Sequence, residues 1–244
     1  MSVHIHPNRE EAGKCAADEA ARAIRAAIVR NGAARIILAS APSQNEFLAA
    51  LRIPEIIDWS RVTIFHMDEY LGLDANNQAS FRYYLNEHLI AHITPAQFHA
   101  IQGEAEESQA ECRRYSELLA QAPIDVVCLG IGENGHIAFN DPPVADFADP
   151  LAVKIVELDE ACRHQQVNDG CFPNFQAVPR HAITLTVPAL MGGREMICVV
   201  PGMRKAAAVR ATIEDPISTL CPATVIRQHT RAQLYLDPDS ASYL

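Results

Sequence analysis

Short apolar runs alternate with helix-length segments along most of this chain, and that alternation constrains the fold more than any other feature. Ala34–Ala39, Val62–His66, Ile124–Leu129 and Glu195–Val200 read as buried strands, with further strands expected at Val153–Leu158, Ala182–Thr186 and Gln233–Leu236. Helices are expected over Asn8–Arg30, stopped by Asn31-Gly32, and over Ser80–Leu89, Glu107–Ala120 and Met203–Glu214. Ser43-Gln44-Asn45-Glu46 has capping-box spacing and should open a further helix through Leu51. Strands separated by helices form a mostly parallel sheet with helices on both faces. The expectation is therefore an α/β fold, one domain over residues 1–244.

The irregular stretches fall at about 67–79, 130–150 and 163–179. Long loops in a compact α/β domain are usually functional, and ligands sit outside the carboxyl ends of the strands. Asp68, Gly130–His136 and Lys205 each lie just beyond an expected strand end, so one crevice can hold all three.

Composition narrows the partners. The formal net charge is −10 and no stretch clusters Lys and Arg, which argues against nucleic acid. No apolar run reaches membrane-helix length and the N-terminus has no signal-peptide core, so no membrane partner is expected. The 7 cysteines are odd in number and none forms a CxxC pair, the pattern of free thiols in a reducing compartment, read here as cytoplasm. An anionic small molecule remains compatible, because a few donors in a cleft hold one phosphate whatever the global charge. Lysine occurs only at Lys14, Lys154 and Lys205, which singles out Lys205.

Gly130-Ile131-Gly132-Glu133-Asn134-Gly135 matches G-x-G-x-x-G after a strand, with Asp159 at a plausible distance for a ribose contact. A dinucleotide site also needs a helix at the last glycines, and His136–Pro143, ending in Asp141-Pro142-Pro143, is unsuited to open one. No cofactor is expected. The alternative is a tight loop presenting His136 between Asn134 and Asp141, a group that titrates near neutrality and moves protons. A structural loop histidine is an equal reading from the residues alone.

Asp68-Glu69 places a carboxylate at a strand end, where it can take a proton from carbon next to a carbonyl. A helix cap or solvated turn is the plainer reading of the same pair. Phosphate has two candidate cradles: the helix start with Ser40, Ala41 and Ser43, and Lys205 at the head of its own helix. His88 and His92 are spaced i, i+4 without the glutamate of HExxH, so no metal is expected. His4 and His6 read as disordered or surface residues.

Phe65–Leu73 (FHMDEYLGL) and Leu129–Pro142 (LGIGENGHIAFNDP) together resemble the signature blocks of glucosamine-6-phosphate deaminases, within the group that includes 6-phosphogluconolactonases. Weaker similarity runs through Val178–Thr184, Gly202–Ala206 and Pro222–His229. The resemblance implies a Rossmann-like sugar-phosphate isomerase fold and a cofactor-free aldose–ketose isomerisation that yields fructose 6-phosphate and ammonia. It implies that His136 opens the pyranose ring, Asp68 moves the C2 proton, Asp141 orients the histidine, and Lys205 binds phosphate. Asn134 matches a position that is often aspartate.

Three departures accompany the resemblance. Asp141 stands where the family has glutamate, so closure onto His136 should need a small shift or a water. Ser40-Ala41-Pro42-Ser43 replaces a glycine-rich phosphate loop, and Pro42 supplies no N–H. Residues 163–177 align poorly, leaving Arg163 as the candidate phosphate arginine. The alternatives carried forward are a 6-phosphogluconolactonase-type hydrolase, a sugar-phosphate-binding regulator without turnover, and another hexosamine phosphate as substrate. Self-association is left open.

Overall fold

Local capping chemistry sets the first helix, α1 (Arg9–Asn31). The Asn8 side chain accepts the Glu11 N–H at 2.8 Å, and Gly32, at φ 81°, donates to Ile28 at the other end. Between the caps, Ala12, Ala16, Ala20, Ile24 and Ala27 recur at helical spacing and are buried. The structure, a computed structural model, describes residues 1–53 and 57–244.

Seven strands form one sheet in the order β1-β10-β9-β6-β2-β3-β5. They are β1 (Ser2–Ile5), β2 (Ala34–Leu38), β3 (Val62–His66), β5 (Gln97–His99), β6 (Val126–Leu129), β9 (Glu195–Val200) and β10 (Ala232–Leu236). Every pairing in it is parallel. Alternate residues pack on opposite faces: Ile36 and Leu38 join the cluster under α1, and Ile37 joins the cluster on the far side. That two-sided burial is why these strands read as continuous apolar runs. From β2 the chain steps outward to β3 and β5, then returns to place β6 on the other side of β2. The crevice outside the carboxyl ends of β2 and β6 is thus a topological switch point, where such folds bind ligands.

A second sheet, antiparallel, has the order β4-β8-β7: β4 (Asp68–Tyr70), β8 (His181–Leu185) and β7 (Val153–Glu157). Only Met67 separates β3 from β4, so the chain leaves one sheet and enters the other at Asp68. The Met67 carbonyl accepts the Leu185 N–H at 2.8 Å and fixes the seam. Beneath this small sheet Tyr70 packs on Phe81, Phe139 and Phe172, with ring centroids 4.8, 5.3 and 5.3 Å away.

The other helices are α2 (Asn45–Leu51), α3 (Phe81–His88), α4 (Ser108–Ala120), α5 (Glu160–Asn168), α6 (Val187–Met191) and α7 (Ala206–Glu214). Several expectations need correction. The strands near 153 and 182 belong to the antiparallel sheet rather than the parallel one. Residues 163–168, expected to be irregular, continue α5. His4 lies in the edge strand β1, stacked on Tyr235 and hydrogen-bonded to Gln233. The capping box does not form, because Pro42–Gln44 make a 3-10 turn, α2 starts at Asn45, and Glu46 pairs with Arg9 of α1 instead. Among the described residues no helix is long and apolar enough to cross a membrane, and all 7 cysteines are free thiols.

Candidate active site

The strand ends at the switch point surround a cavity. Ser40, Ala41 and Ser43 line it beyond β2, Asp68 beyond β3, His136 beyond β6 and Lys205 beyond β9.

The two halves of the acidic pair have different fates. Alternation along β4 turns Glu69 away from the cavity toward the start of α3. There its carboxylate accepts the N–H groups of Tyr70, Phe81 and Arg82 and the Ser80 hydroxyl, so Glu69 is a fully buried helix cap. Asp68 faces the cavity, 7% exposed, and no described residue donates a hydrogen bond to its carboxylate. Burial, with the Glu69 charge adding to it, holds the Asp68 pKa well above the usual carboxylate range. The cap reading of this pair holds for Glu69, and Asp68 is left facing the cavity.

Before β4, His66 accepts the Ile101 N–H on Nε2 at 2.8 Å, and burial pushes its pKa down to about 3. It is a neutral structural histidine that fixes the strand end.

His136 is held on three sides. Its ring lies flat on Gly132, where an added Cβ would stand 2.2–2.4 Å from the imidazole atoms. Only glycine fits at that position. Nδ1 lies 2.8 Å from Asn134 Oδ1 and 2.9 Å from Asp141 Oδ1. Asn134 also donates from Nδ2 to Asp141 at 2.9 Å, which fixes the amide orientation. Both neighbours of Nδ1 are acceptors, so the neutral ring carries its proton there and presents Nε2 as a free base. The closure on Asp141 is direct: neither the shift nor the water expected for the shorter side chain is needed. The loop manages this with Ala138 at φ 48° and with Asn140 pinned to the carbonyls of Ile137 and Leu185.

At the other end of the cavity Ser40 is 5% exposed and its hydroxyl has no partner among the described residues. The loop is braced from outside by the Tyr84 hydroxyl, 2.6 Å from the Ala41 carbonyl. Lys205 is 7% exposed and makes no ion pair or hydrogen bond to a described residue. Burial depresses its pKa, and Asp169 and Glu133 oppose that from a distance. A buried ammonium and an orphaned hydroxyl facing one space make a site that an anion completes.

A family model described as glucosamine-6-phosphate isomerases/6-phosphogluconolactonase matches residues 7–236. The chain belongs to that family. A glucosamine-6-phosphate deaminase of Listeria monocytogenes serotype 4a is 37% identical over 202 residues, covering 83% of this chain and 84% of the relative. One of Lactobacillus delbrueckii subsp. bulgaricus is 32% identical over all 244 residues and the whole relative. Among solved structures, a monomeric glucosamine-6-phosphate deaminase superposes with TM-score 0.91 at 30% identity, covering both chains completely. A Trypanosoma brucei 6-phosphogluconolactonase shares the fold at TM-score 0.79 and 18% identity, over 100% of this chain and 98% of that one.

Within this family fold, Arg163 is not where the sequence reading put it. It does not line the cavity; its guanidinium donates to the carbonyls of Phe175 and Val178 and lies over the Phe175 ring at 3.9 Å. The same helix instead turns Gln165 and Gln166 into the cavity. Gln165 is tied to the Glu133 N–H at 2.8 Å, whereas the Gln166 amide has no partner among the described residues. Two consecutive glutamines in a poorly aligned stretch carry no distinctive signal, and sequence reasoning missed them. Gln44 was missed too; it supports Gly130 by donating to the Val199 carbonyl across it.

Among the described residues, one group of metal-type ligands is close together: His136, Asp141 and Cys162, with atoms within 4.8 Å of one another. The His136–Asp141 contact of 2.9 Å is tighter than the roughly 3.4 Å between two ligands of one tetrahedral zinc.

Proposed function

We propose that this chain is a glucosamine-6-phosphate deaminase, and that Asp68, His136, Asp141, Asn134 and Lys205 carry its chemistry. One observation carries the reading: a donor-free carboxylate, Asp68, shares a cavity with a histidine whose Nε2 is free. A lactonase needs a histidine to activate water but has no use for a carbon-acid base.

In this reading the phosphate sits against Lys205 and Ser40. His136 Nε2 takes the O1 proton and returns one to the ring oxygen, opening the pyranose. Asp141 and Asn134 stabilise the imidazolium formed on the way. Asp68 then removes the C2 proton from the open aldehyde while the substrate ammonium gives a proton to O1, leaving an enolamine, and redelivers the C2 proton to C1. The resulting C2 iminium adds water and expels ammonia, leaving the ketose phosphate. The raised pKa of Asp68 strengthens it as a base without metal or cofactor. The free thiols fit a reducing cytoplasm.

The test is ammonia release across a panel of hexosamine 6-phosphates, with 6-phosphogluconolactone alongside. Release from glucosamine 6-phosphate that survives exhaustive chelation supports the reading. Lactone hydrolysis without ammonia release, or binding without turnover, overturns it.

A further inference from the structure

The helix α5 touches the site twice. On one side it offers Gln165 and Gln166 to the cavity; on the other its first turn meets Asp141. Asp141 is fully buried and spends Oδ1 on His136 and Asn134. Its second oxygen, Oδ2, is buried without a partner at hydrogen-bond geometry among the described residues. Two donors from the start of α5 face this carboxylate, the Asp159 N–H and the Cys162 thiol. Cys162 is completely buried, and its sulfur stands within 4.8 Å of the ligating atoms of both Asp141 and His136. A buried acceptor left without a donor is costly, so a small adjustment of the thiol toward Oδ2 is favoured.

We infer that Cys162 is a positioning residue, whose thiol closes on Asp141 Oδ2 and makes a Cys162–Asp141–His136 relay anchoring α5 to the catalytic histidine. The inference rests on the deaminase reading for its kinetic consequence but not for its geometry. The role asks for a thiol, not a thiolate, and the surroundings keep it protonated. Burial first, then the charges of Asp141 and Asp68, hold its pKa well above the usual thiol range. Asp159 adds to this from α5 itself, while Lys205 at the head of α7 faces the same sulfur. Tyr70 on β4 is the remaining titratable neighbour. A donor on Oδ2 disperses the charge of Asp141 and moderates its pull on the imidazole proton. Without it, the aspartate holds Nδ1–H more tightly and the apparent pKa of the imidazole rises.

The experiment compares Cys162→Ser, which keeps a donor, with Cys162→Ala and Cys162→Val, which do not; Val fills the space should Ala fold poorly. The His136 imidazole is titrated by NMR in the substrate-free protein, and kcat and KM are measured against pH. The expected result is a raised His136 pKa in Ala and Val and a near wild-type value in Ser. kcat should fall about 3- to 10-fold in Ala and Val, with KM within twofold of wild type. An unmoved imidazole pKa in the donor-free variants, or Ser behaving like Ala, overturns the inference. The NMR titration stands whether or not any hexosamine phosphate is turned over, so failure of the deaminase reading is seen separately.

Discussion

His136 Nδ1 and Asp141 Oδ1 are 2.9 Å apart although four residues of loop, including the strained Ala138, separate their places on the chain's path. The contact decides the tautomer of the histidine, and the tautomer decides what the cavity contains: a basic Nε2 opposite a donor-free carboxylate. A loop that spends positive φ on an alanine to bring an acid to an imidazole is built around that contact.

Asp68→Asn should fold and keep its affinity for phosphate while losing turnover by about 10²–10⁴-fold, the usual cost of removing a general base. Solvent hydrogen exchange into the substrate carbon skeleton should disappear with it. The same change should stabilise the protein. The folded pKa of Asp68 is raised, so its contribution is fully present in acid and is lost as pH climbs from the ordinary carboxylate value through the folded one. Thermal denaturation should put the variant above wild type at pH 8 and level with it near pH 3. A near wild-type turnover would sink the assignment.

Gly132→Ala tests the seat of the imidazole. The new Cβ would sit 2.2–2.4 Å from ring atoms, so the ring must swing off its acceptors. A displacement of that order costs about 10²-fold in kcat, with phosphate affinity unchanged. Steady-state kinetics alongside circular dichroism would show whether the loss is local.

Lys205→Met separates ligand binding from stability. Affinity for a sugar phosphate should drop by about 1.5–3 kcal/mol, the scale of a charge-assisted hydrogen bond. Without ligand the variant should melt higher than wild type at pH 7. The ammonium's folded pKa is depressed by burial, so wild type bears a penalty that is full below the folded value and fades as pH rises from there through the ordinary lysine value. Added phosphate should raise the melting temperature of wild type and not of the variant, as a thermal-shift titration would record.

Glu69→Gln should act on stability rather than on chemistry in the first instance. Its carboxylate accepts four hydrogen bonds at the head of α3 and lies 3.7 Å from Arg82, which an amide cannot replace. A loss of about 2–4 kcal/mol in urea denaturation is expected. Arg163→Ala is the companion control: stability falls as the 175–178 segment loosens, and KM for the sugar phosphate holds.

The sequence by itself determined the parallel sheet, because strands buried on both faces must be almost wholly apolar, and the run Val126–Leu129 announces that. It determined α1 through Asn8 and Gly32, since caps are local chemistry. It also placed Asp68, His136 and Lys205 at strand ends, and the parallel topology then had to gather them on one edge. Short strands with few side chains to pattern, β4 and β5, left no such mark; they exist because β8 and β3 offer them partners. Only the tertiary structure divided Asp68 from Glu69, because burial is a property of what surrounds a side chain. Only it withdrew Glu46 from its cap to Arg9 and turned Arg163 away from the cavity. Each of those outcomes was settled by a partner more than ten residues away, and no window of sequence contains the competition between them.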